Sequence, residues 1–289
     1  MGTLPAYRPD ENYNYSPHIV ILGAGASLAS FPKGDKFGRQ LPLMNNLVEI
    51  LDLEKEIGLI KPNNSLKNFE SIYSDLYNNN PNHPLIEVIK SKIFKYFKEL
   101  IIPDELTLYD KLILSLREKD LIATFNWDPF LGLAYQRNRH IKRLPRLVFL
   151  HGNVFVGICK KDKTTGFTNC ACSKCGKMFT PTDLLYPIEN KDYTNNPFIK
   201  DQWDQLKTFI KYGYLVTIFG YSAPKTDVGA KNIMLDVWKK NETRELAQIE
   251  LVDVKSKAIL EQRWAEFFIR DHYWTVKDLN DTYLLHYPR

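Results

Sequence analysis

A chain of 289 residues with 44% hydrophobic and 25% charged residues is long enough and apolar enough to bury a sizeable core as one large globular domain, 1–289. No apolar stretch approaches the roughly 20 residues a membrane helix requires, and the polar, Tyr/Asn/Pro-rich residues 1–17 lack the apolar centre of a secretory signal, so a cytoplasmic location is expected. The net charge of +5 is mild and mostly interspersed. Its one dense basic run, Arg137, Arg139, Lys142, Arg143 and Arg146 with His140 among them, reads as a solvated loop or as an attractor of phosphates. No aromatic residue interleaves it, so direct nucleic-acid binding is not inferred.

In chain order, His18-Ile19-Val20-Ile21-Leu22 reads as a strand that turns tightly at Gly23-Ala24-Gly25-Ala26-Ser27 into a loop or helix, with no helix-dense stretch directly after it. From 41 to 119 the pattern becomes helical, as an insertion beside the sheet. Residues 85–101 set Ile86, Ile89, Ile93, Phe97 and Leu100 on one face, and 43–57, 66–77 and 104–119 read similarly, separated by Lys61-Pro62-Asn63-Asn64 and Asn78-Asn79-Asn80-Pro81. Strands are then expected at 120–124, 147–151, 214–219 and 248–253, and helices near 129–137, 197–212, 227–240 and 256–269. A small cysteine-bearing module fills 153–196, and Tyr283-Leu284-Leu285 suggests an edge strand in the tail. Strands separated by helices imply an α/β fold: a Rossmann-like parallel sheet with helices on both faces.

Two of these strands end in polar residues that a buried strand does not need. One runs into Thr124-Phe125-Asn126-Trp127-Asp128 and the other into His151-Gly152. In an open parallel sheet the carboxyl ends of the strands form the ligand crevice, so Asn126 and His151 are the candidate reacting pair. Glycine turns at Gly23–Ser27 and at Gly220-Tyr221-Ser222 allow close backbone approach to a pyrophosphate, with Gly23, Ala24, Gly25, Ser27, Gly220 and Ser222 as contacts. A tight turn without ligand is the alternative for the first. Asp253, at the end of the last strand, is a candidate ribose acceptor. Asp227 reads as a helix cap, and Asp128 before Pro129 as either a cap or a ribose ligand, with Thr124 beside it.

The four cysteines, Cys159, Cys170, Cys172 and Cys175, fall within 17 residues. Cys172-Ser-Lys-Cys175-Gly has the form of a zinc knuckle, and Cys159 and Cys170 complete a four-thiolate set that would hold a structural Zn²⁺. Disulfides are disfavoured in a cytosolic chain; free buried thiols or a degenerate site are the alternatives.

Gly-Ala-Gly-Ala-Ser at 23–27, Thr-Phe-Asn-Trp-Asp at 124–128, Leu-His-Gly at 150–152, the cysteine module and Gly-Tyr-Ser at 220–222 together resemble the sirtuin (silent information regulator 2) superfamily in order and spacing. The resemblance implies NAD⁺ as substrate, cleavage at the nicotinamide–ribose bond, Gly23, Gly25 and Ser27 as the pyrophosphate loop, Asn126 and Asp128 around the nicotinamide ribose, and His151 as the catalytic histidine. Protein-deacylating members carry Pro-Asp-Phe-Arg after the first loop, where this chain has Phe31-Pro32-Lys33-Gly34-Asp35, and Gln where it has Phe125. Their Phe-Gly-Glu element is also missing from 184–191. These departures resemble the bacterial antiphage sirtuin-like proteins, which hydrolyse NAD⁺ outright. The implied function is therefore an NAD⁺ hydrolase that works as a homo-oligomer or with a defence partner such as an ATPase, a nucleic-acid-guided protein or a phage-sensing subunit. A protein deacylase or a non-enzymatic nucleotide-binding subunit are the alternatives.

Overall fold

The structure, a computed structural model, describes residues 16–58, 68–141, 143–188, 191–242 and 244–288. Its strands are β1 (His18–Leu22), β2 (Leu121–Thr124), β3 (Arg146–Phe149), β4 (Val156–Ile158), β5 (Thr165–Phe167), β6 (Thr180–Pro181), β7 (Leu215–Phe219), β8 (Gln248–Val252) and β9 (Tyr273–Val276). Helices α1 (Ala24–Ser30), α2 (Leu47–Ile50), α3 (Glu54–Gly58), α4 (Phe69–Asn79), α5 (Pro84–Lys98) and α6 (Leu108–Ser115) precede β2. Then come α7 (Phe130–Arg137), α8 (Pro197–Tyr212), α9 (Val228–Trp238), α10 (Lys257–Trp264) and α11 (Tyr283–His286).

Six strands pair in the order β3-β2-β1-β7-β8-β9, every neighbour parallel, while β5-β4-β6 form a separate antiparallel sheet. Counted along the chain, the large sheet has the doubly wound order 3-2-1-4-5-6, and its order reverses between β1 and β7. Every side chain of β1, β2 and β7 is buried, as a sheet covered on both faces requires. Helix α8 packs with α9, and α6 packs with α1, α7 and α11, giving the two helical layers. The expected Rossmann-like class is what the chain adopts. No helix among the described residues is long and apolar enough to cross a membrane.

Polar groups also tie the strands together. His18 Nε2 lies 2.7 Å from Thr217 Oγ1, which donates to Glu250 Oε2 at 2.7 Å. Because the threonine has one proton and gives it to Glu250, the proton of the His18 contact sits on Nε2. Glu250 Oε1 accepts from Trp274 Nε1 at 2.8 Å and from the Tyr283 N–H at 3.2 Å. Burial pushes the Glu250 carboxyl up.

That last contact corrects the expected tail strand. Tyr283-Leu284-Leu285 is helix α11, capped by Thr282 Oγ1, and the edge strand is β9 instead. The segment 43–57 is split into α2 and α3 around Asp52, whose φ is +49°. A helix does follow β1 directly: α1 begins at Ala24. The basic run is no phosphate attractor at Arg137, whose guanidinium is bound to Asp110 and to the Pro103 carbonyl. Lys142 of that run, the Lys61–Asn64 breaker and residues 1–15 lie outside the described residues.

Candidate active site at the carboxyl ends of the strands

Beyond Thr124 the chain stays in register long enough for the Phe125 N–H to reach the Leu22 carbonyl at 3.0 Å, and the Asn126 N–H then bonds Thr124 Oγ1 at 3.0 Å. This turn sends the Asn126 amide across the end of β1. Its Nδ2 donates to the Gly23 carbonyl at 2.8 Å and to Ser27 Oγ at 2.9 Å, with Tyr109 OH at 3.3 Å. Ser27 Oγ in turn donates to Asp128 Oδ2 at 2.7 Å, so the Tyr109 hydroxyl, also 2.7 Å from Ser27 Oγ, gives its proton to the serine. Asp128 Oδ1 accepts from the Phe130 N–H at 3.1 Å, where it helps to open α7. Asn153 closes the knot from below, donating to the Asn126 and Asp128 carbonyls at 3.1 and 2.7 Å. Burial raises the Asp128 carboxyl to about 6, against the Ser27 and Phe130 hydrogen bonds, which lower it.

The two glycine turns meet at the switch point. Gly23 N–H bonds the Phe219 carbonyl and Gly25 N–H the Gly220 carbonyl, each at 3.0 Å. Gly220 has φ +60°, and a Cβ there would lie 2.2 Å from the Ala26 nitrogen. The glycines are therefore required by the contact between the loops. This corrects one expectation: the N–H groups of Gly23, Gly25 and Ala26 are taken by backbone carbonyls and do not form a free anion cradle.

His151 sits in an adjoining, aromatic-walled chamber. Gly152 after it has φ +74°, and a side chain there would run into the Asp183 carbonyl 2.0 Å from its Cβ, so the sharp turn that presents the histidine needs glycine. The Phe125 ring meets the imidazole edge-on at 4.8 Å and stacks on Tyr221 at 4.1 Å, while Tyr193 stacks over the imidazole at 6.1 Å. Asp227 Oδ1 lies 3.7 Å from His151 Nε2, accepts from Lys191 Nζ at 2.5 Å, and its Oδ2 accepts from Tyr221 OH at 3.1 Å. Both His151 Nε2 and Tyr193 OH are buried with no hydrogen-bond partner among the described residues. Burial lowers the imidazole to about 4; Asp227 opposes this and Lys191 reinforces it. At neutral pH His151 is uncharged, with a free polar atom.

The structure thus gathers Gly23, Ser27, Thr124, Asn126 and Asp128 in one hydrogen-bonded knot, with Gly220 against it and His151 next door. Ser222 is only half-buried, and the Asp253 carboxylate is engaged by the Lys255 N–H at 3.0 Å and Lys255 Nζ at 3.3 Å. Asp227 starts α9 but makes no cap hydrogen bond, because Lys191 and Tyr221 hold its carboxylate. Tyr109, Asn153, Lys191 and Tyr193 were not anticipated. Asn153, two residues past the histidine, was open to discovery as a further polar residue at a strand end. Nothing local marks the others.

In the cysteine module, Cys159 Sγ lies 3.4 Å from Cys175 Sγ, and Asp162 Oδ2 lies 3.5 Å from Cys159 Sγ and 3.4 Å from Cys172 Sγ. The donor atoms of these four residues all fall within 4.8 Å of one another, a set compatible with structural zinc. Cys170 stands outside it, a correction to the expected ligands: its sulfur accepts from Gln136 Nε2 at 3.3 Å and faces Asn169 Oδ1 at 3.4 Å.

Among solved structures the chain is similar to one described under the mechanism and regulation of Sir2 enzymes, at 15% identity over 94% of this chain and 91% of that one, with a TM-score of 0.44. It is also similar to a mutant Sir2 homologue in complex with ADP-ribose, at 12% identity over 95% and 91%, TM-score 0.46. A Sir2 homologue–NAD complex gives 15% identity over 90% and 84%, TM-score 0.38. No family model matches the chain. No curated protein matches it either.

Proposed function

We propose that the chain is an NAD⁺ hydrolase that cleaves the nicotinamide–ribose bond. The observation that carries this reading is that the buried Asn126 amide and an uncharged His151, whose Nε2 has no partner among the described residues, follow the carboxyl ends of the neighbouring strands β2 and β3 in a doubly wound sheet. The reaction needs little acid assistance, because nicotinamide leaves NAD⁺ as a neutral molecule and the positive charge passes to the ribose. Water adds to that carbon and one proton is released, so NAD⁺ and water become nicotinamide, ADP-ribose and H⁺. Asn126, whose Nδ2 is spent on the Gly23 carbonyl and Ser27 Oγ, orients a ribose hydroxyl or the water through its Oδ1 acceptor, without titrating. His151 takes the proton, and Asp227, 3.7 Å away, balances the imidazolium that forms. Gly23, Ala24, Gly25, Ser27, Thr124, Asp128, Gly220, Ser222 and Asp253 line the dinucleotide path in this reading, with the phosphates held by groups other than the three occupied N–H donors.

The whole of 1–289 acts as one NAD⁺-binding domain, with 41–119 as its helical insertion and 153–196 as its small module. Cys159, Cys172 and Cys175 with Asp162 would hold a zinc ion whose closed shell cross-links that module. Depletion of NAD⁺ in antiphage defence, with a homo-oligomer or a partner subunit, is the biological setting proposed.

One observation favours a second reading, NAD⁺-dependent protein deacylation. An open groove of about 700 Å³ runs beside α5, bordered by Lys90, Phe94, Lys98, Thr182, Leu184 and Tyr186, and in this reading it would receive the peptide. The test is to incubate purified protein with NAD⁺, with and without acetyl-lysine peptide, and follow nicotinamide and ADP-ribose. Release without peptide supports hydrolysis; release only in step with peptide deacetylation replaces it by the second reading. Full activity in Asn126→Ala or His151→Ala would overturn the assigned roles.

A further inference from the structure

We propose that Asp162 is the fourth ligand of a zinc-type divalent cation held by Cys159, Cys172 and Cys175, making a site of three thiolates and one carboxylate. The inference does not depend on the chemistry at His151.

The first support is metrical. Zinc binds thiolate sulfur at about 2.3 Å and carboxylate oxygen at about 2.0 Å, so a tetrahedron around it spaces sulfur from oxygen by about 3.5 Å and sulfur from sulfur by about 3.8 Å. The two Asp162 oxygen–sulfur distances are 3.5 and 3.4 Å, and Cys159 and Cys175 are 3.4 Å apart at sulfur. Bond formation between those sulfurs would need about 2.05 Å, so they are neighbours and not a disulfide.

The second support is in the chain itself. Cys159-Lys160-Lys161-Asp162 repeats the spacing of Cys172-Ser173-Lys174-Cys175, with a carboxylate where the second thiolate of a paired knuckle belongs. Both arms have knuckle geometry. The Asp162 N–H points back to Cys159 Sγ at 3.4 Å, and Gly176, at φ +73°, returns its N–H to the Cys172 carbonyl at 2.9 Å. The arms are joined through the small sheet, in which β4 carries the chain into Cys159.

The third is charge. Three thiolates and a carboxylate around a divalent cation carry a formal charge of −2, and Lys160, Lys161, Lys163, Lys174 and Lys177 surround them in sequence. A soft donor set of this kind selects zinc-like ions over magnesium or calcium. Cys170 is a spectator, held against Gln136 and Asn169.

The full-length protein, purified under reducing conditions and without NAD⁺, tests this by metal analysis and by cobalt substitution. Wild type and Cys170→Ser are expected to carry one zinc per chain, and Cys172→Ser to lose it. Loss of outer partners already weakens metal sites about 10–100-fold, so Asp162→Ala should weaken zinc at least that much in competition with a chelator. Asp162→Cys, which restores the paired knuckle, should bind more tightly and raise the thiolate-to-cobalt absorption by about one third, as the thiolates go from three to four. Zinc lost from Cys170→Ser but kept by Asp162→Ala overturns the proposal. So does a wild type that takes up no zinc or cobalt, or cobalt absorption unchanged in Asp162→Cys.

Discussion

Ser27 Oγ donates to Asp128 Oδ2 over 2.7 Å, and this one bond fastens the helix that follows β1 to the turn that follows β2. Ser27 also accepts from Asn126 Nδ2 and pairs with Tyr109 OH. Replacing it with alanine removes the donor to Asp128 Oδ2 and takes one partner each from Asn126 Nδ2 and Tyr109 OH, at about 1–3 kcal/mol for a buried group left unsatisfied. Ser27→Ala is therefore expected to lose at least about 2 kcal/mol in urea unfolding, and to gain most of it back in Ser27→Thr if the extra methyl is accommodated.

Asp128 is raised by burial from 3.8 to about 6, so the folded protein prefers it protonated. The stabilising preference is complete below pH 3.8 and is lost as pH rises through 6. Above pH 6 the ionised carboxylate costs about 3 kcal/mol relative to its neutral form. Asp128→Asn, which keeps shape and removes the charge, should raise the melting temperature relative to wild type at pH 8 and much less at pH 4.5. A gain that is equal at both pH values would show that the carboxyl is not raised.

His151 works in the opposite direction. Burial lowers it from 6.5 to about 4, so its contribution is present above pH 6.5 and is lost as pH falls through 4. Protonation in the chamber costs about 3 kcal/mol, and His151→Gln should remove that much of the acid sensitivity of wild type between pH 6.5 and 4. Histidine NMR titration checks the same point directly: Asp227→Asn should lower the His151 pKa further, and Lys191→Gln should raise it.

The Lys191–Asp227 pair is buried on both sides, with side-chain exposures of 3% and 6%. Removing one partner of such a pair leaves an uncompensated charge and costs about 3–5 kcal/mol. Lys191→Met should fall in that range by chemical denaturation. The double variant Lys191→Met/Asp227→Asn should recover a large part of the loss, and additive losses would show that the two do not act as a pair.

Gly220→Ala tests the contact between the glycine turns. A methyl 2.2 Å from the Ala26 nitrogen, at φ +60°, cannot be accommodated without separating the two loops. The variant should be destabilised by several kcal/mol, on the order of other strained backbone positions. Gly38→Ala, also at positive φ but with open space around it, should cost only about 1 kcal/mol.

The parallel sheet was legible because its strands are short, mostly apolar runs with helices between them. The pairing order was not, since each of those runs is equally suited to several neighbours. Asn126, Ser27 and Asp128 were found because they interrupt apolar strand ends, where polarity has no packing use. The pairing of Lys191 with Asp227, which reads only as a helix cap, stayed hidden: the two are 36 residues apart and each looks ordinary among local neighbours. Tyr283-Leu284-Leu285 is too short for periodicity to separate strand from helix, and Glu250 decides it by capturing the Tyr283 N–H. Counting cysteines alone overlooked Asp162, although the repeated two-residue spacing was in plain view.

The bond from the Gly25 N–H to the Gly220 carbonyl ties the bottom of the crevice together. Neither loop there has space for one more carbon, so the two halves of the sheet meet without slack at their seam. Movement that uncovers His151 would come from its roof, where Tyr193 stacks over the imidazole and Tyr221 stacks on the Phe125 ring that abuts it. Both stretches of roof are fastened through Asp227, one by Lys191 and the other by Tyr221 itself. A single carboxylate is thus the clasp of the chamber, and opening it would at the same moment strip the histidine of its nearest negative charge.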